Sequence, residues 1–185
     1  MGTHFTRVLK VGILAVWFLL PRICLGDGLF PAEPEGFRGI KWRTGLEEAL
    51  KVVPDLSFDH YSMPAGDEVP SRIYFRKEED RKIGNVTFRR IEYWFKEDHF
   101  YKVTACFDSH YGPRTLVTDA ERDFDQLRKE IGLQYGEPKE YKIGFGFNIF
   151  DKRATWHVGR TTILLLYSDG IKPNESRLSL EIKSD

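Results

Sequence analysis

The sequence of 185 residues predicts an α+β fold, in which two helices pack on a largely antiparallel sheet. Two segments place apolar residues at helical spacing, and several runs alternate apolar with polar residues, as half-buried strands do. Hydrophobic residues make up 41% of the chain and charged residues 30%, values typical of a folded globular protein. The length suits one ordinary domain and not two large ones.

The first 26 residues have the layout of a signal peptide. A basic start precedes ten apolar residues at 11–20, and the small residues Cys24 and Gly26 fit a cleavage site before Asp27. Ten residues of helix span roughly 15 Å, about half of the hydrocarbon core of a bilayer. We therefore predict an exported, periplasmic protein with no stable membrane span after cleavage. A lipid anchor and an uncleaved amphipathic anchor are the alternatives.

Charge and cysteine content exclude several function classes. The chain has 28 basic and 28 acidic residues, and removal of Arg7, Lys10 and Arg22 with the signal peptide would leave 25 against 28. Such a domain has no overall positive field for nucleic acid, so we predict no nucleic-acid partner. Cleavage would also leave Cys106 as the single cysteine, which excludes an internal disulfide. We expect Cys106 to pack as a small hydrophobic residue in a strand.

The mature chain begins with an extended leader and continues as one domain. Residues 27–36 are rich in Gly, Pro and Glu, and the single α+β domain is predicted over 37–185. A short strand is expected at 37–42. The spacing of Thr44 and Glu47 is that of a capping box, which predicts a helix that Pro54 ends.

The middle of the chain is rich in β-branched and aromatic residues. It predicts a hairpin turn at 96–99 and a β-bulge at Arg89-Arg90, where the alternation of apolar residues changes phase. The strands predicted here are 73–75, 86–95 and 100–107.

A second capping box at Thr118–Glu121 opens the longer predicted helix, which Gly136 and Pro138 end. Because each helix is followed by several strands, an internal duplication into two α-β-β-β halves is one interpretation. The segment 163–166 is apolar at every position and predicts a central strand. The strands predicted after the helix are 141–150, 154–158, 161–167 and 177–182.

The search for catalytic or metal-binding motifs gives little. The four histidines of the mature chain lack the spacing of a zinc site, so no metal and no cofactor are predicted. Asp108-Ser109-His110 contains the residue types of a hydrolase triad, but members of a triad come from separate elements, and a turn explains the motif better. Gly144-Phe145-Gly146 alternates like a strand and lacks the pattern of a phosphate loop.

The leading hypothesis is therefore a non-catalytic module that binds a protein or another envelope component through a face or edge of the sheet. It rests on 14 Phe, 8 Tyr and 4 Trp, more aromatic residues than one small core readily buries. A pair of arginines beside aromatic residues would add cation–π contacts. The candidate binding residues are Trp42, Arg89, Arg90, Tyr93, Trp94 and Trp156.

Two rival functions remain open. A periplasmic hydrolase would use Asp or His from loops at Asp59-His60 and Asp108-Ser109-His110, provided that both converge on one pocket. A metal-handling envelope protein would need two or more of His60, His99, His110 and His157 beside a carboxylate.

The domain opens with Phe37-Arg38-Gly39-Ile40-Lys41-Trp42, followed by Arg43-Thr44. This opening resembles the F-R-G-I-K-W-G-T start of a group of small exported bacterial proteins without an assigned function, although Arg43 stands where a glycine is expected. Ile91-Glu92-Tyr93, Tyr135-Gly136-Glu137-Pro138 and Trp156 extend the likeness over most of the mature chain. The resemblance implies a bacterial envelope protein, but it does not indicate which activity the protein has. More loosely, two helix-then-sheet halves are similar to β-lactamase-inhibitor-like and outer-membrane-assembly modules, which bind proteins.

Overall fold

The computed structural model describes residues 32–64, 66, 68–107, 120–146, 149–169 and 177–185. Twelve strands and two helices lie within these ranges. In chain order they are β1 (Gly36–Phe37), β2 (Ile40–Lys41), α1 (Leu46–Val52), β3 (Leu56–Ser62), β4 (Ser71–Arg76), β5 (Lys82–Ile83), β6 (Val86–Thr87), β7 (Arg90–Lys96), β8 (His99–Phe107), α2 (Ala120–Tyr135), β9 (Glu140–Gly146), β10 (Ile149–Val158), β11 (Thr161–Asp169) and β12 (Arg177–Ser184).

Eight of these strands form one antiparallel sheet in the order β3-β4-β7-β8-β12-β11-β10-β9. The strands after α1 make one four-stranded half of this sheet and the strands after α2 make the other, and the halves meet where β8 pairs with β12. Two short hairpins, β1-β2 and β5-β6, stand outside the main sheet. The outer strands β3 and β9 are therefore the two edges of the sheet.

The predicted α+β class is wrong, because the described chain is mostly β. The helix α1 has 7 residues and α2 has 16, whereas eight strands at about 4.8 Å spacing make a sheet roughly 34 Å wide. Helices about 10 Å across cannot form a full second layer over such a sheet. The predicted α-β-β-β halves are wrong as well, since each helix is followed by four strands of the sheet. Sequence analysis missed β3 entirely.

One face of the sheet packs against both helices and holds the core. On β7 this face carries Ile91, Tyr93 and Phe95, each no more than 2% exposed. The core continues through Phe124 of α2 and Leu165 of β11, both fully buried. We call the opposite side of the sheet the polar face. Its residues on β7 are Arg90, Glu92 and Trp94, which alternate with the three core residues.

The bounds of α1 and the end of α2 agree with the sequence, although one predicted cap does not form. The helix α1 begins at Leu46, but its N-cap is Gly45 and no side chain caps it, so the Thr44–Glu47 capping box is wrong. The helix α2 ends before Gly136, whose φ of +83° suits a glycine C-cap. The predicted start of α2 at Thr118 lies outside the described residues.

Two predicted turns have different outcomes. The hairpin turn at 96–99 is confirmed, with Glu97 and Asp98 both at positive φ. The bulge predicted at Arg89-Arg90 is wrong, because the chain instead leaves β6 and enters β7 there. Register shifts occur between Phe58 and His60 and between Trp94 and Phe95. Within the described ranges, no helix is long and apolar enough to cross a membrane.

The orientation of α2 gives a first prediction. Phe124 is fully buried against the sheet, whereas Leu133 of the same helix is 81% exposed. Phe124→Ala should lower the free energy of unfolding by about 3–5 kcal/mol, because it empties a core position. The control Leu133→Ala should change it by less than about 0.5 kcal/mol. Urea unfolding followed by circular dichroism measures both, and equal losses would contradict this packing.

Candidate functional site

A groove of about 880 Å³ lies where β3, β4, β7 and β8 run side by side, at one end of the polar face. We call it the basic groove. Its basic side chains are Arg76, Lys77, Arg81, Arg89 and Arg90, and its acidic side chains are Asp59 and Glu92. His60, Phe75, Ile91 and Cys106 complete the lining.

A β-bulge in β3 brings Asp59 and His60 into this groove together. Phe58 is paired with Tyr74 and His60 with Ile73, so Asp59 is the extra residue between two pairs of the ladder. In a regular strand, consecutive side chains point to opposite faces. The bulge removes that restriction, and Nδ1 of His60 lies 2.5 Å from Oδ2 of Asp59.

Arg90 links the two carboxylates of the groove. Its Nη2 donates a hydrogen bond to Asp59 of β3, and its Nε lies 3.1 Å from Oε1 of Glu92 in an ion pair. The guanidinium carbon lies 5.0 Å from the centre of the Phe75 ring, within cation–π range. Arg90 is therefore held in place by contacts with three strands, and its positive charge is paired with two carboxylates.

The pKa values of these two carboxyl groups shift in opposite directions. Burial acts to raise the pKa of Asp59, but the hydrogen bonds from His60 and Arg90 outweigh it and hold that pKa below its usual value. Burial raises the pKa of Glu92, and the nearby Arg90 charge only partly opposes this effect. Asp59 is thus the carboxylate that stays ionised most readily.

Arg76, Lys77 and Arg81 come from the end of β4 and the segment that follows it, and Arg89 directly precedes β7. Nε of Arg76 donates to both carboxylate oxygens of Asp55 at 2.9 Å. Nη1 of Arg81 donates to the carbonyl oxygen of Arg89 at 2.8 Å. These contacts hold Arg76 and Arg81 at the groove, and a guanidinium has five N–H donors, more than they use.

The fold separates charges that are mixed in the sequence. Residues 76–82 contain four basic and three acidic residues close together, and such a mixture predicts a solvated turn without a net field. In the structure Glu79 is only 8% exposed and turns into the core, where Arg38 and the Tyr93 hydroxyl donate hydrogen bonds to it. Glu79 is turned away from the groove, whereas Arg76, Lys77 and Arg81 of the same segment line it.

The structure brings some predicted binding residues together and separates others. Arg89 and Arg90 line the basic groove, and Trp94 lies on the same face of β7. Nζ of Lys102 sits 3.6 Å above the Trp94 ring and 3.5 Å from Glu181, so this indole is covered by a neighbouring lysine.

The other three predicted binding residues lie on the core side. Tyr93 and Trp156 are no more than 1% exposed. Burial and the bond to Glu79 raise the pKa of Tyr93, and Nε1 of Trp156 donates to the carbonyl oxygen of Gly136 at 2.9 Å. Trp42 is half-buried and stacks on a core ring, while its Nε1 donates to the Pro34 carbonyl oxygen at 2.7 Å. These three aromatic residues have structural partners and do not reach the groove.

The groove does not bring a nucleophile to a base among the described residues. His60 lies on β3 and Cys106 on β8, and the strands β4 and β7 lie between them. Three strand spacings separate their backbones by roughly 14 Å, far beyond the 3 Å contact of a catalytic pair. Asp59-His60 belongs to a strand and not to a loop, and Asp108-Ser109-His110 lies outside the described residues.

The described histidines are far from one another in the fold. His60 is on β3, His99 begins β8 and His157 is near the end of β10. His110, the fourth, is outside the described residues. Across the part of the chain that the structure describes, no three His, Cys, Asp or Glu residues are grouped so that they could hold a metal ion.

The comparisons with known proteins give no relative. No family model matches the chain, no curated protein matches it, and no solved structure matches it. The functional argument therefore depends on the chemistry of the groove.

The pKa shift of Asp59 generates a second prediction. A lowered folded-state pKa contributes stability above the unfolded value of 3.8, and this contribution is lost as the pH falls through the folded-state pKa. Asp59→Asn should therefore lower the free energy of unfolding by about 1 kcal/mol at pH 7 and by progressively less below pH 3.8.

Urea unfolding at a series of pH values measures the difference between the wild type and Asp59→Asn. Glu137→Gln is the control, because the Glu137 side chain is 90% exposed and lies 3.9 Å from its nearest cation. A penalty for Asp59→Asn that does not change between neutral and acidic pH would contradict the assigned hydrogen bonds.

Proposed function

We propose that the chain is an exported, non-catalytic binding module of the bacterial envelope, and that its basic groove binds an anionic ligand. The observation that supports this proposal most strongly is the charge of the groove. Five basic side chains line it against two carboxylates, whereas the mature chain as a whole would have 25 basic and 28 acidic residues. A local excess of positive charge in a slightly acidic domain favours an anionic partner.

The arrangement of the charges supports the same proposal. Arg90 pairs with both Asp59 and Glu92, and Arg76 pairs with Asp55, so these five groups together carry one negative charge. Lys77, Arg81 and Arg89 carry three positive charges, so the groove keeps a positive excess. Arginine also suits the task, because its planar guanidinium binds carboxylate and phosphate groups through two parallel hydrogen bonds.

The size of the groove indicates a ligand with more than one charged group. A volume of about 880 Å³ is near the upper end of the range for small-molecule sites, much larger than a single phosphate or carboxylate requires. We therefore expect binding to strengthen with the number of charges on the ligand and to weaken as salt concentration rises.

Inorganic tripolyphosphate is the probe for the third prediction, measured by isothermal titration calorimetry. The double variant Lys77→Gln with Arg81→Gln should bind at least about tenfold more weakly, because it removes two groove cations that lie outside the strands of the main sheet. The matched control is Lys142→Gln with Lys183→Gln, which removes two exposed lysines of the polar face outside the groove. Its affinity for tripolyphosphate should stay within about twofold of the wild-type affinity.

Absence of heat with tripolyphosphate, or equal weakening in both double variants, would contradict the proposed site. Circular dichroism spectra check that each variant retains the wild-type fold. Salt dependence adds a further measure, because a ligand held by several cations should lose affinity steeply between low and physiological salt.

A further inference from the structure

The strand β9 is an edge of the sheet that the described strands leave open. Its seven residues pair with β10 in one continuous register, from Glu140 with Thr155 to Gly146 with Ile149, and no described strand lies on its outer side. Along such an edge strand, every second residue directs its backbone N–H and C=O groups outwards. This row of donors and acceptors is a template for pairing with another strand.

Two apolar side chains of β9 stand on the helix side of the sheet, where α2 covers them only partly. Tyr141 pairs with Ala154, which is fully buried in the core, yet Tyr141 is 42% exposed and Ile143 50%. The guanidinium carbon of Arg128 in α2 lies 5.1 Å from the centre of the Tyr141 ring. A further strand beside β9 would remove more of both side chains from water, and burial of apolar surface favours association.

The charges along this edge balance. On the polar face, Nζ of Lys142 lies 3.3 Å from Oε2 of Glu140. On the helix side, Nη1 of Arg128 lies 3.9 Å from Oε2 of Glu137. Two copies of this edge can therefore approach each other without net repulsion. The cationic excess of the basic groove lies at the opposite end of the sheet.

We propose that β9 pairs antiparallel with β9 of a second copy of the chain, so that two sheets become one continuous sheet. The two-fold axis passes through Ile143, which stands opposite Ile143 of the second copy. In this register all seven residues of β9 are paired. Lys142 stands opposite Gly144 and Glu140 opposite Gly146, so no like charges face each other. The next register, centred on Lys142, is disfavoured because it would place two lysines opposite each other.

The structure of the other edge limits the assembly to two copies. The bulge at Asp59 interrupts the regular ladder of β3, and bulges and charged residues prevent an edge strand from pairing. Pairing of β9 with β3 of the next copy would build an open chain, whereas pairing of β9 with itself closes at a dimer. One pair of strands is a small interface, so we expect a weak dimer that forms as the concentration rises.

This inference goes beyond the proposed function and does not depend on it. Pairing at β9 leaves the basic groove open, because β3, β4, β7 and β8 lie at the other end of the sheet. Tripolyphosphate binding should therefore be the same in the monomer and in the dimer.

Sedimentation velocity of the mature chain over a range of concentrations tests the proposal. The wild type should shift from the mass of one chain to the mass of two. Ile143→Lys and Ile143→Glu should each raise the dissociation constant of the dimer at least about tenfold, because apolar burial is lost and like charges meet at the two-fold axis. An equimolar mixture of the two variants should dimerise more tightly than either alone, because lysine then faces glutamate.

Tyr61→Lys is the matched control, because Tyr61 is 62% exposed on β3 at the opposite edge. This variant should dimerise like the wild type. Circular dichroism spectra check that all three variants retain the wild-type fold, and the Ile143 variants should bind tripolyphosphate like the wild type.

Several results would overturn the pairing of β9. A wild type that stays monomeric at every concentration would do so and would leave the proposed anion binding intact. A dimer that persists in both Ile143 variants, or that Tyr61→Lys weakens equally, would place the contact elsewhere. A mixture of the Ile143 variants no tighter than the separate variants would contradict the register. Species that grow beyond two copies would contradict a closed dimer.

Discussion

The width of the sheet is the constraint on which the other features depend. Eight antiparallel strands bury one continuous face, and the two described helices cover only part of it. Aromatic residues fill the remaining core, as in the contact of Tyr74 with Phe95 at 5.4 Å. At the two edges the cover ends, and apolar side chains of β3 and β9 reach the surface. The exposed apolar residues of β3 and β9 are thus a consequence of the topology.

The positive charge of the groove depends on the positions of three acidic side chains. Glu79 is drawn into the core by Arg38 and Tyr93, while Asp59 and Glu92 are engaged by Arg90. Each of these contacts joins residues that are well apart in the chain or lie on different strands, except the pair on β7. The folded protein consequently presents a cationic surface that its nearly neutral sequence does not reveal.

The sequence predicted the elements better than their assembly. Alternation and turn residues were enough for β4, β8, β11 and β12, for the turn at 96–99 and for both helices, because these are local properties. The single strands predicted at 37–42 and 141–150 are wrong, because each range contains parts of two strands that pair antiparallel. The strand β3 was missed because its bulge breaks the alternation and mixes Asp59 and His60 with aromatic residues. The fold class was wrong because the length of a helix says little about the area of sheet that it must cover.

The candidate site was only partly predictable, because it depends on how the strands assemble and not only on local sequence patterns. Arg89 and Arg90 stood out as a pair beside aromatic residues, and both line the groove. Lys77 and Arg81 were not predicted as site residues, because acidic residues stand close to them in the sequence. Only the folded structure shows that the Glu79 side chain turns into the core. Tyr93 and Trp156 were predicted to lie on a binding surface only because the chain is rich in aromatic residues. Both are buried because of the register of their strands, and no local sequence pattern determines that register.

Nuclear magnetic resonance with tripolyphosphate tests the central claim most directly. The account predicts that the largest chemical-shift changes of the backbone amides occur at Asp59, His60, Lys77, Arg81 and Arg89, with little change on β9 and β10. Shift changes that cluster on the far half of the sheet, or that spread evenly over every exposed lysine and arginine, would contradict it.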